Sequence, residues 1–441
     1  MSYLTDRRRF LKSTALTGVG VFVTGKAVAE DSKSPNERVR FACIGVGGKG
    51  GSDSRDAGNT GDVVAICDVD DNTLEKAATR FFPKAAKYND YRKLLDEMGK
   101  DVDAVTVSTP DHMHAPISAL AMRMGKACFT QKPLTRTIYE ARKLGEIARE
   151  MKVATQMGNQ GTASNSLRKT SQLIRAGAVG SVKKVHVWTN RPIWPQGTPR
   201  PPEAEVPAGV HWDLWLGCAP YRPYANGYHP FSWRGWWDFG SGALGDMACH
   251  TVNMPFMALD LRDPVAVQAT TSGHNRDSYP KWSIITYDFA ANGQRGDCQM
   301  IWYDGGQKPS PDLFAGEQVS ETGVLVVGDQ GTLFAPGDYC EKGYKLLAGA
   351  TEKEVQFEAS PGHFEEYVRA IKGGPPARSN FPDYAGPLSE TILLGNLAVW
   401  AAAEPESPGK KIEWLAQSLK PTNAPEVEVV VQPVYREGYK L

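Results

Sequence analysis

The feature that most constrains the fold is a glycine-rich turn that directly follows an apolar run near the start of the chain. The run covers residues 39–44, and the turn has the pattern Gly45-x-Gly47-x-x-Gly50. In a strand–turn–helix unit the first glycine makes the tight turn, and the second lets a pyrophosphate approach the backbone. The third lets the helix pack closely on the strand. The pattern therefore predicts dinucleotide binding, with a plain structural turn as the alternative.

An acidic residue about 20 positions further on supports the first interpretation. A second apolar run, residues 62–67, ends in Asp68. A carboxylate at this point accepts hydrogen bonds from the ribose hydroxyls of adenosine and repels a 2′-phosphate. We therefore expect NAD as the cofactor, with NADP as the less favoured alternative.

Residues 38–157 alternate strand-like runs with helical periodicity, which predicts an N-terminal Rossmann domain with a doubly wound parallel sheet. Two later runs end in Thr109-Pro110-Asp111-His112-Met113-His114 and in Gln131-Lys132-Pro133, and the helix after the first is predicted to begin at Ala115. Ligands of parallel sheets lie outside the carboxyl ends of the strands, so these tips should meet the glycine turn. The predicted cofactor contacts beyond the turn and Asp68 are Thr109, Pro110, His112, His114, Gln131 and Lys132.

The pattern changes after residue 157. Shorter strand-like runs, such as 283–289 and 345–347, are joined by glycine-containing turns, which indicates antiparallel hairpins. Helical periodicity returns at 363–371 and 388–403. We assign residues 158–420 to a second, α+β domain for substrate binding, and residues 421–441 to a C-terminal arm.

Residues 192–239 are rich in proline, glycine and tryptophan and are predicted to form a long ordered loop. Ordered loops of this length are usually functional, so we interpret it as a wall of a substrate pocket. The alternative is that several of its tryptophans only pack the loop against the protein. The predicted substrate contacts here and at the domain boundary are Asn159, Gln160, Trp194, His229, Trp233 and Trp237.

The first 29 residues have the three regions of an export signal. A basic start containing Arg7-Arg8 precedes an uncharged stretch, residues 13–25, and the small-residue site Ala27-Val28-Ala29. The arginine pair is typical of twin-arginine signals, so we expect cleavage after Ala29, export to the periplasm and no membrane insertion of the mature chain. A basic disordered tail is the alternative. Because no soluble NAD pool exists there, the cofactor should be tightly held and regenerated in place.

Charge and cysteine content exclude several classes of protein. Lys plus Arg equals Asp plus Glu at 50 each, so nothing indicates a nucleic-acid partner. The seven cysteines contain no CxxC pair, and His112-x-His114 has no further ligands spaced around it. We therefore predict no metal site.

Together, the ordered motifs resemble the glucose–fructose oxidoreductase/inositol dehydrogenase/MocA family. A later segment, Gly242-Ala243-Leu244-Gly245-Asp246-Met247-Ala248-Cys249-His250, is similar to that family's Gly-x-x-x-Asp-x-x-x-His. The resemblance implies an oxidoreductase acting on a sugar or polyol and a second domain with a large, open, mostly antiparallel sheet. It also implies a homo-oligomer, a dimer or tetramer. One position departs from the family, because Gln131 replaces the usual glutamate and removes a negative charge.

Oxidation of a secondary alcohol needs a base near the hydroxyl and a donor for the developing alkoxide. The resemblance implies that Lys132, Asp246 and His250 meet at the substrate carbinol. Asp246 and His250 are four residues apart, so on a helix they share one face and the carboxylate can orient the imidazole. For this pair alone, the alternative is a helix-surface ion pair or a buried histidine with satisfied hydrogen bonds.

Three hypotheses follow for the activity. The first is an exported NAD-dependent oxidoreductase for a sugar, glycoside or polyol, with internal recycling of the cofactor. The second is a glycoside hydrolase that uses transient ring oxidation, elimination and hydration. It needs a further acid and base, for which the candidates are His211, Tyr228, His229 and Asp238. The third is a carbohydrate-binding protein without catalysis.

Overall fold

A six-stranded parallel sheet forms the first layer of the computed structural model, which describes residues 38–441. Its strands are β1 Arg40–Ile44, β2 Asp62–Cys67, β3 Ala86–Tyr88, β4 Ala104–Val107, β5 Ala127–Thr130 and β6 Thr155–Met157. The strand order is β3-β2-β1-β4-β5-β6, with every neighbouring pair parallel. The order reverses between β1 and β4, where open parallel sheets bind their ligands. The predicted doubly wound sheet is confirmed.

Helices connect these strands. They are α1 Gly48–Thr60, α2 Asp71–Arg80, α3 Tyr91–Met98, α4 Asp111–Arg123 and α5 Ile138–Met151. Helix α4 begins at Asp111, so the predicted start at Ala115 was wrong by one turn. Pro110 precedes the helix, where its missing N–H removes no helical hydrogen bond, and an acidic first residue is favoured by the helix dipole.

The second sheet has nine strands and is mostly antiparallel, as predicted. Its strands are β7 Val182–Trp188, β8 Ala266–Thr271, β9 Ser283–Phe289, β10 Cys298–Tyr303, β11 Gly323–Gly328, β12 Thr332–Pro336, β13 Lys345–Leu347, β14 Ile412–Leu415 and β15 Lys420–Pro421. The order is β13-β12-β11-β7-β10-β9-β8-β14-β15. Within this sheet, as residues 38–441 form it, β7 and β10 are the only neighbours that pair in parallel. Burial alternates along β9 and β10, so one face packs on helices and the other is open.

The later helices fill the space between the sheets and also return to the first one. They are α6 Asn165–Arg175, α7 Trp212–Leu216, α8 Gly242–Thr251, α9 Asn253–Leu259, α10 His363–Ile371, α11 Gly386–Ala401 and α12 Glu428–Val431. Phe364 and Tyr367 of α10 pack on Phe41 and Phe129 of the parallel sheet, with 5.0 Å between the Phe129 and Phe364 ring centroids. Helix α11 is buried against α5, α8 and β8.

The segment after residue 420 packs back on the same chain. The Tyr435 hydroxyl donates to Glu140 Oε1 of α5 at 2.6 Å. The Arg92 guanidinium of α3 lies 5.0 Å from the centroid of the Tyr439 ring. These contacts bring the end of the chain to the edge of the cavity described below.

The predicted signal peptide, residues 1–29, lies outside the described residues. Within residues 38–441, no helix is both long and apolar enough to cross a bilayer.

Candidate active site

A cavity of about 780 Å³ opens at the carboxyl ends of β1, β2, β4 and β5. Small-molecule sites are typically of about 300–1,000 Å³. The walls contain two-thirds of the residues predicted from the sequence. These are Gly45, Gly47, Asp68, Thr109, Pro110, Gln131, Lys132, Gln160, His229, Trp233, Asp246 and His250. Residues from both halves of the chain therefore meet at one site.

The glycine turn has the close approaches that a dinucleotide site requires. A Cβ atom on Gly45, whose φ is +79°, would lie 2.6 Å from the Ser108 carbonyl oxygen. On Gly50 it would lie 2.0 Å from the Gly45 carbonyl oxygen, although Gly50 itself does not line the cavity. The turn therefore presents bare backbone at the start of α1, and this arrangement fits a pyrophosphate.

Asp68 lies at the tip of β2, next to the turn. Its Oδ2 accepts the Val46 N–H at 3.0 Å and its Oδ1 accepts the Asp70 N–H at 3.1 Å. Burial raises the pKa of Asp68 to about 6, although both N–H groups favour the charged form. At neutral pH it is a carboxylate at the cavity wall, suited to accept hydrogen bonds from ribose hydroxyls.

An ion-paired lysine lies at the other end of the cavity. Lys132 Nζ donates to Asp246 Oδ1 and to the Asp246 main-chain oxygen, both at 2.8 Å. Arg234 Nε also donates to Oδ1, at 3.2 Å. Burial alone would raise the pKa of Asp246, but the charges of Lys132 and Arg234 hold it at about 2. Asp246 is therefore a permanent carboxylate that fixes the lysine ammonium at the cavity wall.

His250 follows Asp246 by one turn of α8, as the spacing predicts. Burial and the nearby Lys132 charge hold the pKa of His250 well below its usual range, so the ring is neutral. Its Nδ1 is buried and has no hydrogen-bond partner within residues 38–441, and its ring meets Tyr339 edge-on at 4.6 Å. In the described residues no hydrogen bond joins Asp246 to His250, because the carboxylate oxygen is engaged by Lys132 and Arg234.

The two predicted histidines of α4 brace the cofactor loops from behind and do not line the cavity. His112 Nε2 lies 3.0 Å from the Trp215 carbonyl oxygen. The ring nitrogens of His114 lie 2.8 Å from the carbonyl oxygens of Thr109 and Pro133. Burial lowers the pKa of His112 to about 3 and that of His114 to about 4. Both are neutral groups that hold strand tips together.

Three predicted substrate contacts also lie away from the cavity wall. Asn159 is buried and accepts a hydrogen bond from the Ser379 hydroxyl. Trp237 stacks on Tyr279 with 3.8 Å between ring centroids. The Trp194 indole N–H donates to Gln196 at 2.9 Å. All three are engaged in packing, which a residue type alone does not reveal.

In the aromatic loop, residues 192–239, most rings pack against one another and a few line the cavity. A buried cluster contains most of its rings, namely Trp212, Trp215, Tyr224, Tyr228, Trp233, Trp236 and Phe239. Of these, Trp215 and Trp233 also reach the cavity wall, together with the exposed Phe231. The Arg234 guanidinium lies 4.2 Å from the Trp233 ring and 4.8 Å from the Phe231 ring, so cation–π contacts order this wall.

Sequence reasoning did not select Asp111 as a site residue. This first residue of α4 lines the cavity, and its Oδ2 accepts the Ser241 hydroxyl at 2.6 Å. Burial raises the pKa of Asp111 to about 7. The position of Asp111 in the motif at the tip of β4 could have indicated that it is a site residue. Its charge state depends on burial against Ser241, which the motif does not contain. Arg191, Arg234 and Tyr339 were missed as well.

Within residues 38–441 no three His, Cys, Asp or Glu side chains are grouped so that they could hold a metal ion. The seven cysteines are buried as free thiols.

The glycine turn, Asp68 and the Lys132–Asp246 pair define the class of protein as a Rossmann-fold dinucleotide-binding protein with an ion-paired lysine in its cavity. Residues 39–159 match the model described as "Oxidoreductase family, NAD-binding Rossmann fold". Residues 164–317 match "Oxidoreductase family, C-terminal alpha/beta domain" of the same family. Together the matches cover more than half of the chain. The chain belongs to the Gfo/Idh/MocA oxidoreductase family, and the resemblance found in its motifs is confirmed.

Curated relatives match over part of their length. A "Glycosyl hydrolase family 109 protein" of Solibacter usitatus is 34% identical over 155 residues, which are 32% of this chain and 35% of the relative. A "Levoglucosan dehydrogenase" of Pseudarthrobacter phenanthrenivorans is 25% identical over 182 residues, which are 41% of this chain and 38% of the relative. The chain thus spans less than half the length of these relatives.

The fold is also that of solved dehydrogenases. The WlbA dehydrogenase of Bordetella pertussis, solved with NADH and UDP-GlcNAcA, matches with a TM-score of 0.59 and 16% identity. The match covers 85% of this chain and 98% of WlbA.

Proposed function

We propose that this protein is an NAD-dependent oxidoreductase that oxidises or reduces a secondary alcohol of a sugar, glycoside or polyol. The observation that carries the proposal is the Lys132–Asp246 ion pair in a cavity that also contains the glycine turn and Asp68. The similarity to a levoglucosan dehydrogenase supports a carbohydrate-like substrate.

Lys132, Asp246 and His250 have separate roles at the substrate carbon. When bound, the nicotinamide ring accepts or supplies the hydride. Lys132 Nζ hydrogen-bonds the substrate oxygen. As the neutral amine it takes the hydroxyl proton during oxidation, and as the ammonium it returns that proton during reduction. Asp246 holds that nitrogen in place through two contacts of 2.8 Å. The neutral His250 lines the same cavity and binds a neighbouring hydroxyl.

The cofactor is NAD in this proposal. Asp68 lines the cavity beside the glycine turn and is charged at neutral pH, which favours ribose hydroxyls and disfavours a 2′-phosphate. The chain end supports tight retention, because Tyr439 lines the same cavity. Arg436 anchors this segment by donating to Asp213 Oδ1 at 2.6 Å and to the Gly217 oxygen at 2.9 Å.

Export and assembly are part of the proposal. The twin-arginine pattern favours a periplasmic protein that folds with its cofactor before export. The open face of the nine-stranded sheet is a surface suited to self-association into a dimer or tetramer.

The test of the proposed activity compares wild type with Lys132→Ala. Cofactor-loaded protein is mixed with a panel of sugars and polyols while the near-ultraviolet absorbance of reduced nicotinamide is followed. Loss of the lysine should lower turnover by about 10²–10⁴-fold and leave NAD bound. Lys143→Ala is the matched control, because Lys143 pairs with Glu146 at 2.6 Å on the surface. Full activity of Lys132→Ala, or a wild-type protein that binds no nicotinamide cofactor, would contradict the proposal.

Asp111 favours a second candidate function, an NAD-recycling glycoside hydrolase. In that scheme a ring hydroxyl is oxidised to a ketone, which acidifies the neighbouring C–H. A base removes that proton while an acid protonates the departing aglycone. Water then adds, and the ketone is reduced again. Asp111 is a carboxyl group in the cavity with a pKa of about 7, so it can serve as one of these groups.

Among the acid and base candidates expected in the aromatic loop, His229 lines the cavity. The others are engaged elsewhere: His211 pairs with Asp71, Asp238 pairs with Arg222, and Tyr228 is buried in the aromatic cluster. The similarity to a glycosyl hydrolase family 109 protein supports keeping this scheme as the alternative.

The two functions are separated by incubating cofactor-loaded protein with aryl glycosides without added NAD in deuterated water. Repeated phenol release with deuterium beside the oxidised carbon would establish the hydrolase. Turnover that requires a second carbonyl acceptor, without phenol release, would establish the oxidoreductase.

A further inference from the structure

We propose that Asp53 on helix α1 carries the negative charge that the family's usual glutamate at position 131 would supply, and that Gln131 is its matched neutral partner. Asp53 is a positioning residue, because it acts on Lys132 through Gln131. The inference depends on the proposed function only where it concerns Lys132 and the cofactor.

Asp53 joins three elements beneath the cavity. It is 1% exposed. Its Oδ2 accepts hydrogen bonds from Gln131 Nε2 at 2.9 Å and from the Ser108 hydroxyl at 2.8 Å. Its Oδ1 accepts from Lys49 Nζ at 2.6 Å. A single buried carboxylate therefore connects α1 with the tips of β4 and β5, which both carry predicted cofactor contacts.

Gln131 transmits this contact to the reactive lysine. Its Oε1 accepts the main-chain N–H of Lys132 at 3.2 Å. Its amide is held tightly, because a Cβ atom on Gly158 would lie only 2.4 Å from Nε2. The orientation of the amide is also defined, since its oxygen would repel Asp53 if the two ends were exchanged.

A glutamate at position 131 would conflict with Asp53. Two carboxylates at hydrogen-bond distance cannot both be ionised, so one must keep a proton. A glutamine supplies the donor that Asp53 needs and keeps the acceptor for Lys132. The negative charge is thus retained beneath the strand tips, on α1 instead of β5, and Lys49 balances it. This pairing accounts for the departure from the family's Glu-Lys-Pro.

A charge exchange tests the pairing with three variants: Gln131→Glu, Asp53→Asn, and both together. In Gln131→Glu, repulsion should raise the dissociation constant for NAD by about tenfold or more at pH 8. Gln131→Glu should also lower the melting temperature at pH 8. The decrease should be much smaller at pH 5, where Asp53 and Glu at position 131 can bind one proton between them. The double variant again has one carboxylate and one amide, so both values should recover to near wild type.

A matched control exists on the second sheet. Gln299 Nε2 donates to Asp288 Oδ1 at 2.8 Å on the half-buried face of β10 and β9, away from the cavity. Gln299→Glu makes the same chemical change and should leave the dissociation constant for NAD unchanged. Calorimetric titration with NAD and thermal unfolding at the two pH values measure these effects without requiring a known sugar substrate.

Recovery in the double variant would support the inference. If Gln131→Glu binds NAD and unfolds like wild type at pH 8, or if the double variant is as impaired as the single one, the inference is wrong. A wild-type protein that does not bind NAD contradicts the proposed function instead. In that case the pH dependence of unfolding of Gln131→Glu still decides whether one of the two positions, 53 and 131, must carry a carboxylate and the other an amide.

Discussion

Asp111 is a cavity residue whose chemistry is strongly changed by its surroundings. Its ordinary pKa of 3.8 is raised to about 7 by burial, despite the hydrogen bond from Ser241. A carboxyl group whose pKa is raised on folding favours the folded state at low pH. That contribution is fully present below pH 4 and is lost as the pH rises through 7.

Replacing Asp111 by Asn should remove this loss. The variant should gain about 2–4 kcal/mol of unfolding free energy over wild type on going from pH 4 to pH 8, at about 1.4 kcal/mol per pKa unit. Urea unfolding at several pH values measures the difference. Asp312→Asn, on the exposed surface, is the control and should leave the pH dependence unchanged. Parallel curves for wild type and Asp111→Asn would contradict the proposed charge state.

At the scale of residues, the motifs predicted which side chains meet in the site better than they predicted the hydrogen bonds of those side chains. Lys132 and Asp246 were expected to meet, and they form an ion pair of 2.8 Å. The absence of a hydrogen bond between Asp246 and His250 in the described residues could not be predicted, because Arg234 of the aromatic loop also engages the Asp246 carboxylate. A periodic pattern predicts which residues share one face of a helix. Which hydrogen bonds those residues form depends also on the side chains that other elements bring to that face.

At the scale of elements, the close contact between α1 and β1 depends on Gly50. A Cβ there would lie 2.0 Å from the main-chain oxygen of Gly45, and backbone cannot move aside as a flexible side chain can. Gly50→Ala should therefore lower the unfolding free energy by about 2 kcal/mol or more and weaken NAD binding.

Gly58→Ala is the control in the same helix. Its new Cβ meets an edge atom of the Phe82 ring at 3.3 Å, which can shift slightly. Alanine is the better helix former by about 1 kcal/mol, so this variant should be close to neutral. Equal effects of the two substitutions in chemical unfolding would refute the packing argument for Gly50.

The C-terminal segment is the second element with a testable role. Tyr439 lines the cavity and contacts Arg92, so Tyr439→Ala should release bound NAD faster, by about tenfold, with little change in stability. Val434→Ala is the control in the same segment, since Val434 is 89% exposed. Release is followed by trapping the free cofactor. Equal release from wild type and both variants would show that the segment does not retain NAD.

Local pattern predicted several elements to the residue, including β9, β13 and α10. It did not predict that α10 packs on the parallel sheet, because that placement depends on contacts between rings far apart in sequence. The start of α4 was misplaced because a proline–aspartate pair was interpreted as loop.

At the scale of the whole molecule, the two sheets share a continuous core, and the cavity lies where their elements meet. The fold class could be predicted, since alternating strands and helices favour a parallel sheet, and the family resemblance supplied the second one. The shape of the cavity could not be predicted, because the aromatic loop, α8 and the C-terminal segment, which are far apart in sequence, all contribute to its walls.

Hydride transfer to the bound cofactor is the central claim, and isotope transfer tests it most directly. Wild-type protein loaded with NAD is mixed with sugars and polyols that carry deuterium at each secondary carbinol carbon. The cofactor is then analysed by mass spectrometry. The account predicts deuterium on the nicotinamide in wild type with at least one substrate and almost none in Lys132→Ala. A cofactor that stays unlabelled with every ligand that binds the protein would contradict it.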